Sequence, residues 1–121
     1  LLPSFCYIPL EQEAEGFTGL FSAGTRSNPV VGQAARMLGS RIPSRLVASA
    51  KSWLCHPGVD RRARILPWQS EGEFDRMSPV EASAHYLRHL REAWNAEPGR
   101  RAEDFLEHQH IALTIPASFD E

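Results

Sequence analysis

Lys51, Cys55, His56 and Asp60 crowd into the stretch "ASAKSWLCHPGVD", residues 48 to 60. A thiol, an imidazole and a carboxylate are the parts of a nucleophile, its base and the group that orients the base. Neighbouring positions on a helix point in different directions, so Cys55 and His56 do not meet in that geometry. Cysteine is also among the residue types most often buried. The span therefore reads as a core cysteine beside a helix-terminal histidine, where a cation suits the helix dipole. Pro57 and Gly58 stop the helix. Lys51 falls beside the apolar stripe of that helix and reads as a lysine that lays its stem along apolar surface.

His85 and His89 are four apart, a spacing that puts two imidazoles on one helix face and suits a metal. "HYLRH" lacks the glutamate of a metalloprotease helix. His108 and His110 would be further ligands from a predicted strand. Both helical histidines are expected opposite the apolar stripe, alongside Glu81 and Glu92. A solvated helix face accounts for them, and no metal is assigned.

Arg61, Arg62 and Arg64 form a basic cluster, joined by Arg88 with Arg91 and Arg100 with Arg101. No aromatic platform is interleaved with them, and the formal charge is -2, so nucleic acid is not an expected partner. These arginines, like Glu11, Glu13 and Glu15, read as solvated charge. The sequence holds neither "GxxxxGK" nor "GxGxxG" to cradle a phosphate.

The elements that must position these residues follow from pattern. "PSFCYIPL" (3–10) predicts a strand with Phe5 and Tyr7 on one face and Cys6 and Ile8 on the other. "FTGLFSAG" (17–24) predicts a second, glycine-interrupted strand, and "PVVG" a short one. "GQAARMLG" predicts a helix closed by Gly39. Pro43 opens the next predicted helix, on which Leu46, Val47, Ala50, Trp53 and Leu54 recur. A loop follows, with one strand around "RILPW". In "SPVE", Ser78 caps, Pro79 suits the first helical position and Glu81 completes a capping box. That helix runs to about Ala96, with Val80, Ala84, Leu87, Leu90 and Trp94 as its apolar stripe. "RRAEDFLEH" predicts a short helical turn, and "HIALTIP" a strand with Ile111, Leu113 and Ile115 on one face. The class is α+β.

With 42% hydrophobic and 23% charged residues over 121 positions, the chain has the balance of one ordinary globular domain. No apolar run is long enough to span a bilayer, so no membrane partner is expected. Two cysteines, Cys6 and Cys55, are too few for a disulfide framework and imply a reduced, cytoplasmic setting. Leu1 in place of Met, and an end directly after a predicted strand, imply a piece of something longer.

Five segments in order, "LPSFCYI", "NPVVGQAARM", "RLVASAKSWL", "MSPVEASAHYLRHLREAW" and "IALTIPASFDE", resemble the amino-terminal ATPase domain of DnaK-type heat-shock chaperones, the seventy-kilodalton class. The resemblance covers the chain except about 11–26 and about 56–76. It implies an actin-like (ribonuclease H-like) fold, of which residues 1–121 would be mainly the outer subdomain of the first lobe. Residues of about 110–121 would be the strand that continues into the inner subdomain. The family's phosphate-binding loops and adenosine site would lie elsewhere, so this chain alone is expected to be inactive.

The resemblance carries over few residues. Lys51, in "SAKSW", matches the family's catalytic lysine, which reaches toward the terminal phosphate and the attacking water. Pro116, in "TIPAS", matches a proline implicated in coupling nucleotide state to the substrate-binding domain. Ser52 follows Lys51 where the family usually has a basic residue, and Ser118 stands where better-known members carry Tyr. These departures mark a divergent branch. For the intact protein the resemblance implies ATP with Mg as cofactor. Its implied partners are unfolded polypeptides, co-chaperones and a nucleotide-exchange factor. The rival readings are another actin-like protein, such as a sugar kinase or filament ATPase, and a non-enzymatic protein-interaction module. Exposed edges at "PSFCYI" or "IALTIP" would also permit self-association without biological purpose.

Overall fold

The computed structural model describes residues 2–10, 29–72 and 74–115. The strand expected over 17–24, the acidic stretch with Glu11, Glu13 and Glu15, and both Pro116 and Ser118 lie outside the described residues.

The described residues form a small mixed α/β domain built on a three-stranded antiparallel sheet. Strand β1 (Phe5–Tyr7) is central, flanked by β2 (Val30–Val31) and β3 (Leu46–Ala48). Cys6 faces Val31 on one side and Val47 on the other, and Tyr7 faces Val30 and Leu46. Alternation along β1 therefore builds two cores. Cys6, Val31 and Val47 join Ala50, Leu66, Met77 and Ala82, whereas Tyr7 and Val30 join Ala35, with Phe5 and Leu46 packed against them. The expected faces of Phe5 with Tyr7 and of Cys6 with Ile8 match this arrangement. Apolar residues on both faces of β1 make sense because both faces are covered.

Helix α1 (Gln33–Gly39) follows β2 and covers the Tyr7 face through Ala34, Ala35 and Leu38. Gly32 makes the turn into it at φ 85, a conformation that favours glycine, and its N–H donates to the Phe5 carbonyl at 2.9 Å. The helix ends at Gly39 as expected, but Ser40 is its cap residue and Gly39 does not adopt the left-handed conformation of a glycine cap.

The helix expected from Pro43 onward is interrupted. Pro43–Arg45 is one 3₁₀ turn, Leu46–Ala48 is β3, and only Ala50–Leu54 is α-helical, here called α2. Short apolar runs fit either period, and pairing with β1 decides the matter for Leu46 and Val47. Ser49, at φ 58, turns the chain from β3 into α2.

Expected strand residues around "RILPW" reduce to one antiparallel bridge. Leu66 and Met77 exchange N–H···O bonds at 2.9 Å in both directions, next to a cis Leu66–Pro67 peptide. The bridge delivers the chain to helix α3 (Pro79–Asn95). Its capping box is complete: Ser78 Oγ accepts from the Glu81 N–H at 3.0 Å, and Glu81 Oε2 accepts from the Ser78 N–H at 3.4 Å.

The apolar stripe of α3 faces the opposite way from expectation. Val80, Leu87, Leu90 and Trp94 are 40–48% exposed. The residues that reach the core are Pro79, Ala82 and Tyr86, on the other side of the helix. Only the first turn is buried, so most of α3 projects past the core. Periodicity locates an apolar face but does not say which face a neighbour covers.

Beyond α3, two 3₁₀ turns, Ala102–Asp104 and Leu106–His108, are strapped to the helix end. The Asn95 amide donates to both carboxylate oxygens of Glu107 at 3.3 and 3.1 Å and accepts from the Leu106 N–H at 2.8 Å. Trp94 Nε1 donates to the Asp104 carbonyl at 3.0 Å, and the Arg100 guanidinium lies 3.9 Å above the Trp94 ring. The strand expected at "HIALTIP" is absent among the described residues. Among the described residues, 110–115 pair with no strand, and they are exposed throughout.

Candidate functional site

Lys51 stands on α2, the five-residue helix that follows β3. Ala50 and Leu54 anchor α2 in the core, which leaves Lys51 and Ser52 exposed on the far side. The Lys51 ammonium has neither a hydrogen bond nor an ion pair among the described residues. Arg36 occupies a matching place, exposed on α1 after β2 and likewise without a partner among the described residues. The two helices pack against opposite faces of the sheet, so the two cations do not form one site.

Cys55, His56 and Asp60 are not connected as a catalytic set. His56 Nδ1 accepts the Gly58 N–H at 3.2 Å, and its ring stacks on Trp53 with centroids 5.6 Å apart. Asp60 Oδ1 accepts the Arg62 N–H at 2.9 Å. Each polar group closes its own turn, which matches the reading of a helix end and its loop.

The histidines of α3 are half-buried rather than on a solvated face, because the helix turns its apolar stripe outward. Burial lowers the His85 pKa, Arg88 lowers it further, and Glu81 opposes both. His108 and His110 are exposed on the segment after α3. Among the described residues, no three His, Cys, Asp or Glu side chains come together in a way that would hold a metal ion.

The arginines separate by role. Arg64 pairs with Glu81 at 3.2 Å, Arg91 with Glu107 at 3.8 Å, and Arg101 with Glu103 at 3.0 Å. All three pairs are exposed and contribute little. Two further arginines do something the sequence did not signal. Arg45 and Arg76 both lie against the Phe74 ring, 4.6 and 4.9 Å from its centroid. Arg45 donates to the Ile8 and Pro9 carbonyls at 3.0 and 3.1 Å. Arg76 donates to the Pro67 carbonyl at 2.8 Å and the Ser70 carbonyl at 2.6 Å. Together they tie the exit of β1 to the loop before α3. Trp53 and Trp68, with centroids 4.9 Å apart, fasten the same loop to α2. None of these pairings has a spacing signature, because each joins residues from separate elements.

No helix among the described residues is long and apolar enough to cross a membrane. Comparison with protein-family models, with curated proteins and with solved structures gives no match.

Proposed function

We propose that this chain is the outer subdomain of the first lobe of an actin-like ATPase domain, in a DnaK-like chaperone that couples ATP hydrolysis to binding and release of unfolded polypeptide. The observation that carries the reading is the order of the matched segments and the elements they form. "LPSFCYI" supplies the central strand, "NPVVGQAARM" and "RLVASAKSWL" supply the flanking strands with their helices, and the segment opening with "MSPVEASAHYL" supplies the capped helix α3. The three strands form one sheet, with α1 against one face and α2 and the start of α3 against the other. The outward apolar stripe of α3 also fits a subdomain whose neighbours within the lobe would cover it.

In this reading Lys51 is the cation the subdomain offers to the terminal phosphate. An exposed ammonium on a long stem suits charge that develops on a transferred group. Among the described residues no three acidic, histidine or cysteine side chains come together as metal ligands, and no step is assigned to magnesium. Pro116 would couple nucleotide state to the substrate-binding domain. Phosphoryl transfer depends on several positioned parts acting together, and one subdomain supplies only one of them.

The test is hydrolysis of ATP by the longer protein that contains this sequence, compared with residues 1–121 alone. Turnover in the longer protein with none in the isolated chain is expected. Turnover or micromolar ATP affinity in the isolated chain overturns the division of labour, and a longer protein without turnover overturns the reading.

A further inference from the structure

Helix α2 carries Lys51, and its own backbone does little to hold it still. It is five residues long, well below the length at which a helix persists by itself. Its buried residues are Ala50 and Leu54, one turn apart, so they fix a single line along the helix. Lys51 and Trp53 flank that line on opposite sides, each about 80° away at about 100° per residue. A roll of α2 about the line therefore moves Trp53 and Lys51 together, and whatever holds Trp53 also aims Lys51.

Trp53 is partly buried against the core, and its ring meets two others. His56, with centroids 5.6 Å apart, belongs to the same stretch of chain and moves with it. Trp68, with centroids 4.9 Å apart, reaches in from the loop between Leu66 and Met77. That loop is itself braced. The Leu66–Met77 bridge closes its base, and Arg76 donates to the Pro67 and Ser70 carbonyls, which flank Trp68, at 2.8 and 2.6 Å. Trp68 stays 50% exposed and belongs to neither core cluster, so its structural effect falls on Trp53 rather than on the core.

We propose that Trp68 is a positioning residue for Lys51: through Trp53 it sets the roll of α2 and so the direction from which the ammonium reaches. The inference rests on the reading of Lys51 as the cation offered to the terminal phosphate. Trp68 touches no reacting atom in this account and acts only through α2. A charged group displaced by about 1 Å loses much of its effect on the rate, while nucleotide binding made by other parts is kept. The effect of Trp68 therefore falls on kcat rather than on KM, and it vanishes once Lys51 is gone.

Two measurements test this. In the 121-residue chain, Trp68→Ala should speed hydrogen exchange of the Cys55 and His56 amides by about tenfold and leave the α3 amides unchanged. In the longer protein, Trp68→Ala should lower kcat for ATP by about tenfold, with KM changed by less than about twofold. Trp68→Phe keeps a ring against Trp53 and should retain most of the turnover. In a Lys51→Ala background, Trp68→Ala should cost nothing further, which a general loss of structure would not produce. Unchanged exchange in α2, full turnover in Trp68→Ala, or an equal loss with and without Lys51 overturns the proposal. A longer protein with no turnover, or with turnover indifferent to Lys51→Ala, overturns the underlying reading and this inference with it. The two failures are told apart because the second needs no change at Trp68.

Discussion

The Cys6 thiol points at the Met77 sulfur, 3.8 Å away, and joins the central strand to the residue that precedes the α3 cap. Burial pushes the Cys6 pKa up from 9.0 to about 12. Tyr86, packed against the same core, is raised in the same direction by burial and then by Cys6. The folded state therefore holds protons that the unfolded chain gives up. Stability is fully present below pH 9.0 and falls as pH rises toward about 12. The loss from one such thiol is about 1.4 kcal/mol per pH unit inside that window. Urea midpoints measured upward from neutral pH should fall accordingly, and Cys6→Ala should flatten part of the slope. In native protein, a thiol reagent should modify the partly exposed Cys55 and leave Cys6 unmodified until unfolding.

The capping box at Ser78 is the most local of the stabilising devices. Ser78 is buried, and its hydroxyl satisfies the Glu81 N–H at the start of the longest helix. Replacing it with Ala removes that acceptor in a place that water does not reach. Ser78→Ala should lower stability by about 1 to 2 kcal/mol. Ser78→Asp keeps an acceptor but buries a charge, so it should recover less than Ser78→Thr. Thermal denaturation of the three variants ranks them.

How far the sequence could be read follows from the range of each interaction. The α3 cap was legible because its partners are three residues apart. The two faces of β1 were legible because alternation alone defines them. The helix expected through Leu46 and Val47 failed because cross-strand pairing with Tyr7 and Cys6 is non-local. The apolar stripe of α3 is legible in the sequence, but the side of the helix that meets the core is not. Its small inward residue, Ala82, reaches the core because the helix lies close to it, and periodicity carries no such information. Phe74 between Arg45 and Arg76 had no signal at all. Lys51 was singled out by resemblance alone, and its exposed, unpaired position on α2 is one that other surface cations share.

Gly39 and Leu46 set a close approach between α1 and β3. A Cβ on Gly39 would come within 2.6 Å of both Leu46 methyl carbons and 2.8 Å of its Cβ. Helix propensity alone favours Ala over Gly by about 1 kcal/mol. The crowding should reverse that sign, and Gly39→Ala should destabilise by about 1 to 3 kcal/mol. Leu46→Ala removes the two methyl contacts and keeps only the Cβ one, so combined with Gly39→Ala it should cost less than the sum of the two. A double-mutant cycle in urea measures this coupling. Strict additivity would mean that the helix and strand separate freely.

Lys51 and Arg36 offer a direct discrimination of which cation serves the proposed cleft. Both are exposed, both follow a strand of the same sheet, and their helices lie on opposite faces. A cleft formed on one side of the subdomain can recruit only one of them. In the longer protein, Lys51→Ala should reduce ATP turnover by about 10² to 10³-fold, as removal of one positioned charge-stabilising group does. Nucleotide affinity should change much less, because the interaction is made mainly in the transition state. Arg36→Ala should leave turnover near that of the unmodified protein. The reverse pattern, turnover lost with Arg36 and kept without Lys51, would move the catalytic role to the α1 face and turn the proposed cleft to the other side of the sheet.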